Sequence, residues 1–234
     1  ALRQARHDSA VRMGLFPAQA GMVTMQRGLA WNVLNAAERR QQARHMEVYA
    51  GMADAMDFHV GRLVAHLKQT GDYDNTVFVF LSDNGPDPAD PLDINASKYW
   101  VRANYKTDGP DLGAKGTFSA NGPRWASAIA APWSGFKYFA GEGGLRVPLI
   151  IAGATGTLQD KRSNAFTTVK DIMPTLLDLA GIAAHGATYQ GAPAVTMGGR
   201  SMVPLLTGRS NFIYRPDEPV GYELAGSAAL YKGK

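Results

Sequence analysis

A stripe of apolar residues at helical spacing, from Met46 to Leu67, constrains this chain more than any other feature. Met46, Tyr49, Ala53, Met56, Val60, Leu63 and Leu67 recur at steps of three and four, which puts them on one face of a helix with 3.6 residues per turn. Asn35 stands where an N-cap would, with Glu38 in capping-box position, and Gly71 supplies a stop. The pattern predicts a helix over about 36–69. Gly51 and Gly61 fall inside it and weaken it by about 1 kcal/mol each relative to Ala. Close packing or an interruption would account for either glycine. The next segment, Thr76-Val-Phe-Val-Phe-Leu81, is apolar without alternation, the pattern of a strand buried on both faces of a parallel sheet covered by helices. Helix, short turn and buried strand make half of a βαβ unit.

Further along, Val147 to Ala152 is a second buried-strand candidate. Thr168 with Asp171 opens a helix through Ala180, closed by Gly181, with Ile172, Met173, Leu176, Leu177 and Leu179 as its apolar positions. Ser201 can cap a short turn ending near Gly208, and Ala228 to Tyr231 reads as the start of one more strand, where the chain ends. Residues 85–135 read as a long irregular region broken by Pro86, Pro88, Pro91, Pro110, Pro123 and Pro132, the kind of loop that is functional or mobile. Inside it, Arg124-Trp125-Ala126 suits a short helix or an anchored turn. Residues 1–30 give no clear pattern, although Leu15-Phe16 before Pro17 looks like a segment tucked onto a larger body.

Composition narrows the class. Hydrophobic residues make up 45% and charged residues 19%, which is globular and not disordered, while 26 Gly and 13 Pro point to much loop. A net charge of +4 favours anionic ligands at long range, but the basic residues are scattered and do not interleave with aromatics, so no nucleic-acid partner is expected. The absence of Cys excludes disulfides, thiolate ligands and a thiol nucleophile. No run of about 18 apolar residues occurs, so no membrane span is expected. The opening Ala1-Leu2-Arg3-Gln4 is neither a signal peptide nor a usual translation start, which raises the expectation of a fragment.

Two segments offer chemistry. Ser82-Asp83-Asn84-Gly85 follows the first strand, at the strand end where α/β sheets gather ligands. Asp83 offers a carboxylate and Asn84 an amide oxygen, both hard donors suited to Ca²⁺ or Mg²⁺, yet too few alone for the about six to eight oxygens Ca²⁺ takes. An Asx turn with Gly85 supplying an unusual φ is the plainer alternative. Lys137 precedes Glu142-Gly143-Gly144-Leu145-Arg146-Val147-Pro148. The glycines permit close backbone approach, and the lysine could meet an anion as a point charge, or stand in solvent beside a glycine turn. Arg146 could face an anion or pair locally with Glu142. His7, His45, His59, His66 and His185 show no metal-ligand spacing and read as structural or surface residues, and Asp57 needs a partner if buried. No G-x-S-x-G, P-loop or G-x-G-x-x-G is present.

Several of these stretches together resemble the type I sulfatases, most closely bacterial arylsulfatases of the alkaline phosphatase superfamily. Arg44-His45-Met46-Glu47-Val48-Tyr49-Ala50-Gly51-Met52, then Met56-Asp57 and Gly61-Arg62, resemble the family's helix. Thr76 to Gly85 resembles the strand and metal turn that follow. Gly122-Pro123-Arg124-Trp125-Ala126, Ala131-Pro132, Lys137 with Glu142 to Pro148, Thr168 to Gly181 and Gly221-Tyr222-Glu223-Leu224 continue in family order. The resemblance implies an α/β fold, part of a mixed, mainly parallel sheet flanked by helices and incomplete at the N-terminus. It implies that the chain is the C-terminal portion only. Residues 1–182 would then belong to the catalytic domain, with the long loop at 86–135, and residues 183–234 to a connecting segment and the start of a smaller subdomain.

The resemblance also implies roles. Asp83 and Asn84 match the carboxylate-amide pair on a divalent cation, Ca²⁺ ahead of Mg²⁺. Lys137 matches the lysine that contacts sulfate, and Glu142, Gly143, Gly144 and Arg146 match the segment supporting it. Trp100 and Trp125, in the long loop with Tyr99, Tyr105 and Phe118, are further candidates for substrate contact, or pins for the loop. The family hydrolyses sulfate monoesters with a formylglycine made from Cys or Ser in C/S-x-P-x-R, and this chain has no Cys and no Ser in such a frame. The expected partners are a small sulfate ester and either a missing N-terminal half or a partner chain over the sheet edge. The expected compartment is the bacterial periplasm or cytoplasm. A phosphonate or phosphate monoester hydrolase of the same superfamily, and a truncated homologue that only binds, stand as alternatives.

Overall fold

A computed structural model describes residues 2–23, 30–90, 92, 95–153, 162–224 and 226–232. The chain divides into two compact units, one of residues 1–71, 84–149 and 223–229, the other of residues 72–83, 150–222 and 230–234.

The first unit is mainly helical. Helix α1 (Leu2–Arg12) docks through basic side chains. Arg3 donates to the Ser127 carbonyl, to Ser127 Oγ at 3.0 Å and to the Val23 carbonyl at 3.0 Å, and Arg6 donates to the Ile129 carbonyl at 2.8 Å. Phe16 then packs edge-on to Trp133 with ring centroids 4.9 Å apart, so the Leu15-Phe16 segment is indeed tucked in. Helix α2 (Ala36–Thr70) starts where the sequence predicts. Asn35 Oδ1 accepts from the amides of Ala37 and Glu38 at 2.9 and 3.0 Å, Glu38 Oε2 accepts from the Asn35 amide at 2.8 Å, and Gly71 ends the helix at φ 82°.

Among the described residues, only the beginning of α2 is packed. Arg44 donates to the Leu112 carbonyl at 2.7 Å, Gln41 to the Thr107 carbonyl at 3.1 Å, and Trp125 Nε1 to the Gln42 carbonyl at 2.7 Å. Beyond these anchors the apolar stripe is open: Met56 is 49% and Leu63 51% exposed. Gly51 and Gly61 meet nothing within 4 Å of an added Cβ, so neither close packing nor an interruption accounts for them among the described residues. The region read as irregular holds helix α3 (Asn95–Asn104) and helix α4 (Gly122–Ala130). The first turn of α4 carries Pro123, a residue suited to that position, and its buried Ala126, Ala128 and Ala130 join Phe136 and Leu112 in the core. A single turn, α5 (Glu142–Leu145), completes the unit.

The second unit holds β1 (Val77–Leu81) and, from Ile150 on, β2 (Leu149–Gly153), which are hydrogen-bonded neighbours. Helix α6 (Ile172–Leu179) follows a turn in which Asp171 Oδ2 accepts from the Thr168 amide at 2.7 Å, at the helix start predicted from Thr168 with Asp171. Strands β3 (Thr188–Tyr189) and β4 (Ala192–Pro193) pair antiparallel, and helix α7 (Val203–Leu206) follows with Ser201 Oγ accepting from the Val203 amide at 3.2 Å. Strands β5 (Val220–Leu224) and β6 (Ser227–Tyr231) are hydrogen-bonded neighbours whose residues are divided between the two units. Asp171, fully buried, accepts from the Thr168 amide at 2.7 Å, the Arg200 amide at 2.8 Å and the Tyr214 hydroxyl at 2.7 Å. Phe166 stacks on Tyr231 at 4.1 Å and meets Tyr214 edge-on at 5.4 Å.

The expected mixed, mainly parallel sheet is not what forms. Among the described residues there are three separate two-stranded sheets. Nor are β1 and β2 buried on both faces, since Phe80 is 42% and Ile150 57% exposed. An unbroken apolar run reports which residues can be buried, whereas the covering layer has to come from other segments. No described helix is long and apolar enough to cross a membrane.

Candidate anion and metal site

The site is assembled by backbone meeting backbone. The Gly85 amide donates to the Gly144 carbonyl at 2.8 Å, the Lys137 amide to the Pro86 carbonyl at 3.1 Å and the Gly143 amide to the Ser134 carbonyl at 2.8 Å. A Cβ at Gly85 would collide with the Gly143 carbonyl oxygen, one at Gly143 with the carbonyl oxygens of Ser134 and Gly135, and one at Gly144 with that of Phe139. The glycines are therefore required for the loop after Asn84 to lie against the segment 134–145.

This approach delivers Lys137 to a partner that the sequence did not single out. Lys137 Nζ donates to Asp87 Oδ2 at 2.8 Å, with 30% of the lysine side chain exposed. Asp87 Oδ1 also accepts from the Ala89 amide at 2.8 Å. The Lys137 hydrogen bond holds the Asp87 carboxyl below the usual carboxylate range, against a smaller opposing push from burial. Lys137 Nζ lies 5.5 Å from the centre of the Tyr138 ring. Tyr138 itself has φ 79°, a conformation costly for a residue with a Cβ, directly beside the candidate anion contact. The one signal that could have found Asp87 is its place in the same Ser82-Asp83-Asn84-Gly85-Pro86-Asp87 turn.

Arg146 takes the local pairing: its Nη1 donates to Glu142 Oε2 at 3.1 Å, one helical turn away, and its guanidinium lies 4.4 Å from the centre of the Trp133 ring. Asn84 is half-buried and its Nδ2 donates to the Gly85 carbonyl at 3.3 Å, while Asp83, exposed, closes the preceding segment after β1. One carboxylate and one amide oxygen fit a hard divalent cation in kind but not in number. Among the described residues no group of three or more His, Cys, Asp and Glu side chains could hold a metal ion. Trp125 is an anchor within the first unit, with its ring 5.3 Å from that of Trp31 and its indole N–H on α2. Trp100 is 60% exposed on α3, its ring 5.7 Å from that of Tyr105.

Comparison with known proteins supplies the family. The model of the family described as Sulfatase matches residues 23–182. An uncharacterized sulfatase of Schizosaccharomyces pombe is 34% identical over 240 residues, which cover 99% of this chain and 42% of that protein. An arylsulfatase of Klebsiella aerogenes is 35% identical over 154 residues, 65% of this chain and 33% of that one. A crystal structure described as Ps i-CgsB in complex with k-i-k-neocarrahexaose shares 22% identity and a TM-score of 0.48, over 99% of this chain and 43% of that chain. The chain thus spans less than half the length of these relatives. The expectation of a C-terminal portion only is corrected by the family match, which occupies the N-terminal and central part of this chain. With the match extending over that much of its length, the chain belongs to the sulfatase family, within the alkaline phosphatase superfamily of hydrolases.

Proposed function

We propose that this chain serves the hydrolysis of sulfate esters by providing an anion contact and part of a divalent-cation site. The observation that carries the reading is the Lys137 ammonium, fixed against Asp87 by the glycine-locked loop that begins at Asn84. In this reading Lys137 meets the sulfate oxygens as a point charge, and Glu142, Gly143, Gly144 and Arg146 hold the segment that positions it. Asp83 and Asn84 hold the cation, Ca²⁺ ahead of Mg²⁺, which supplies charge stabilisation when bound. Trp100 and Trp125 stand further from the reading, the first exposed and the second committed to α2. The chain contains no Cys. The formylglycine nucleophile of the family would therefore be supplied by polypeptide beyond these residues.

Calorimetric titration tests the reading. The chain is expected to bind inorganic sulfate more tightly with Ca²⁺ present, Lys137→Ala to weaken sulfate about tenfold or more, and Asp83→Asn with Asn84→Ala to remove the Ca²⁺ effect. Sulfate affinity unchanged in Lys137→Ala would sink it.

A further inference from the structure

A cleft of about 330 Å³ opens in the first unit and shares Asp87 with the Lys137 ion pair. Its walls come from separate elements: Tyr49 on α2, Asp87 and Ala89 after β1, Phe118 and Asn121 before α4, and Ile129 on α4. The size falls at the small end of ligand sites, and two aromatic side chains with a few polar groups is the usual make-up of such a site. Phe118 is held from behind, its ring 6.1 Å from that of Tyr105 and its amide donating to the Lys106 carbonyl at 2.8 Å.

Asp87 defines what can enter. Its two oxygens already accept from Lys137 and Ala89, and each keeps further acceptor capacity, so the carboxylate stays ionised on the cleft wall. It can receive a hydroxyl or another donor, and it opposes a second anion. Lys137, hydrogen-bonded to the same carboxylate, is the group read above as the sulfate contact.

We propose that this cleft receives the non-sulfate part of the ester and selects it by charge: a ring-sized, mainly apolar group lies between Tyr49 and Phe118, with a hydrogen-bond donor accepted at Asp87 and a second negative charge refused. The proposal rests on the sulfate reading of Lys137. Asp87 is then a specificity-determining residue, set between the two halves of one ligand.

The test is a set of titrations on the 234-residue chain with Ca²⁺ present, using inorganic sulfate, 4-hydroxyphenyl sulfate, 4-carboxyphenyl sulfate and hydroquinone. The hydroxyphenyl ester is expected to bind about tenfold more tightly than inorganic sulfate, and the carboxyphenyl ester no more tightly than inorganic sulfate. Ala120→Trp, which fills the cleft, should erase the ring's gain and leave inorganic sulfate unchanged. Phe118→Leu should lessen the gain with little risk to the fold. Equal affinities for the two ring esters, or a ring gain that survives Ala120→Trp, would overturn the proposal. Hydroquinone separates it from the reading beneath it. Hydroquinone binding lost in Ala120→Trp supports the cleft even where inorganic sulfate fails to bind. Inorganic sulfate binding without hydroquinone binding overturns the cleft and leaves the sulfate reading standing.

Discussion

A Cβ on Gly144 would collide with the Phe139 carbonyl oxygen and crowd that of Phe136, and both are main-chain atoms that cannot swing aside. Gly144→Ala is therefore expected to cost about 1–3 kcal/mol of stability in urea titration, as overpacking does. Gly61→Ala is expected to gain about 1 kcal/mol, because its site is helical and open. Equal effects at the two sites would show that the lock yields. His45 gives a second residue-scale prediction. It is buried, with Nδ1 2.8 Å from Ser119 Oγ and Nε2 3.1 Å from Gln41 Nε2, and burial pulls its pKa below the ordinary value against a weaker raising effect of Asp90. On lowering the pH, the unfolded chain takes up this proton first, near pH ~6.5. Stability from His45 is thus complete above that value and is lost as pH falls from there towards the lower folded pKa. The difference between wild-type and His45→Gln stability profiles should show that slope and no other histidine's. Identical profiles would refute it. The glycines of the site were legible in the sequence as points of close approach, whereas Asp87 was not, because a carboxylate four residues past Asp83 has no signature until the lock brings Lys137 to it.

At the scale of elements, legibility followed periodicity. Helix α2, both ends included, and the helix start at Thr168 with Asp171 were readable because caps and apolar spacing are local signals. Helix α1 was not, since its sequence LRQARHDSAVR has no apolar stripe and docks through Arg3 and Arg6 instead. Nor was α3, hidden among prolines that break the surrounding chain, while α4 was legible only as the short helix or anchored turn at Arg124-Trp125-Ala126. Asp171 ties three donors together in the second unit. Burial, and then the hydrogen bond to Asp171, push the Tyr214 hydroxyl up to about 12. Removing the carboxylate leaves three donors without it, two amides and the tyrosine hydroxyl, so Asp171→Ala is expected to cost on the order of 3 kcal/mol. A spectrophotometric titration of Tyr214 in that variant should move towards the ordinary tyrosine value. An unmoved Tyr214 would assign its shift to burial alone.

For the whole molecule, the main fact is the open apolar stripe of α2, which runs through Met56, Val60 and Leu63. Exposed apolar surface of this extent drives association. Sedimentation should show concentration-dependent self-association that Met56→Glu with Leu63→Glu reduces, and an unaffected equilibrium would place the association elsewhere. The sheet was misjudged for a separate reason: the strands were identified from their composition, but how many neighbours each acquires is decided by segments far along the chain. Asp171 shows such distant dependence at a single atom group. Its acceptors join the chain to itself across 29 residues at Arg200 and 43 at Tyr214, in a protein without a cysteine cross-link. Each closure costs chain entropy before it returns any contact. The carboxylate is fully compensated out of water only when all three donors have arrived, so the order of Thr168, Arg200 and Tyr214 is tied to one buried group.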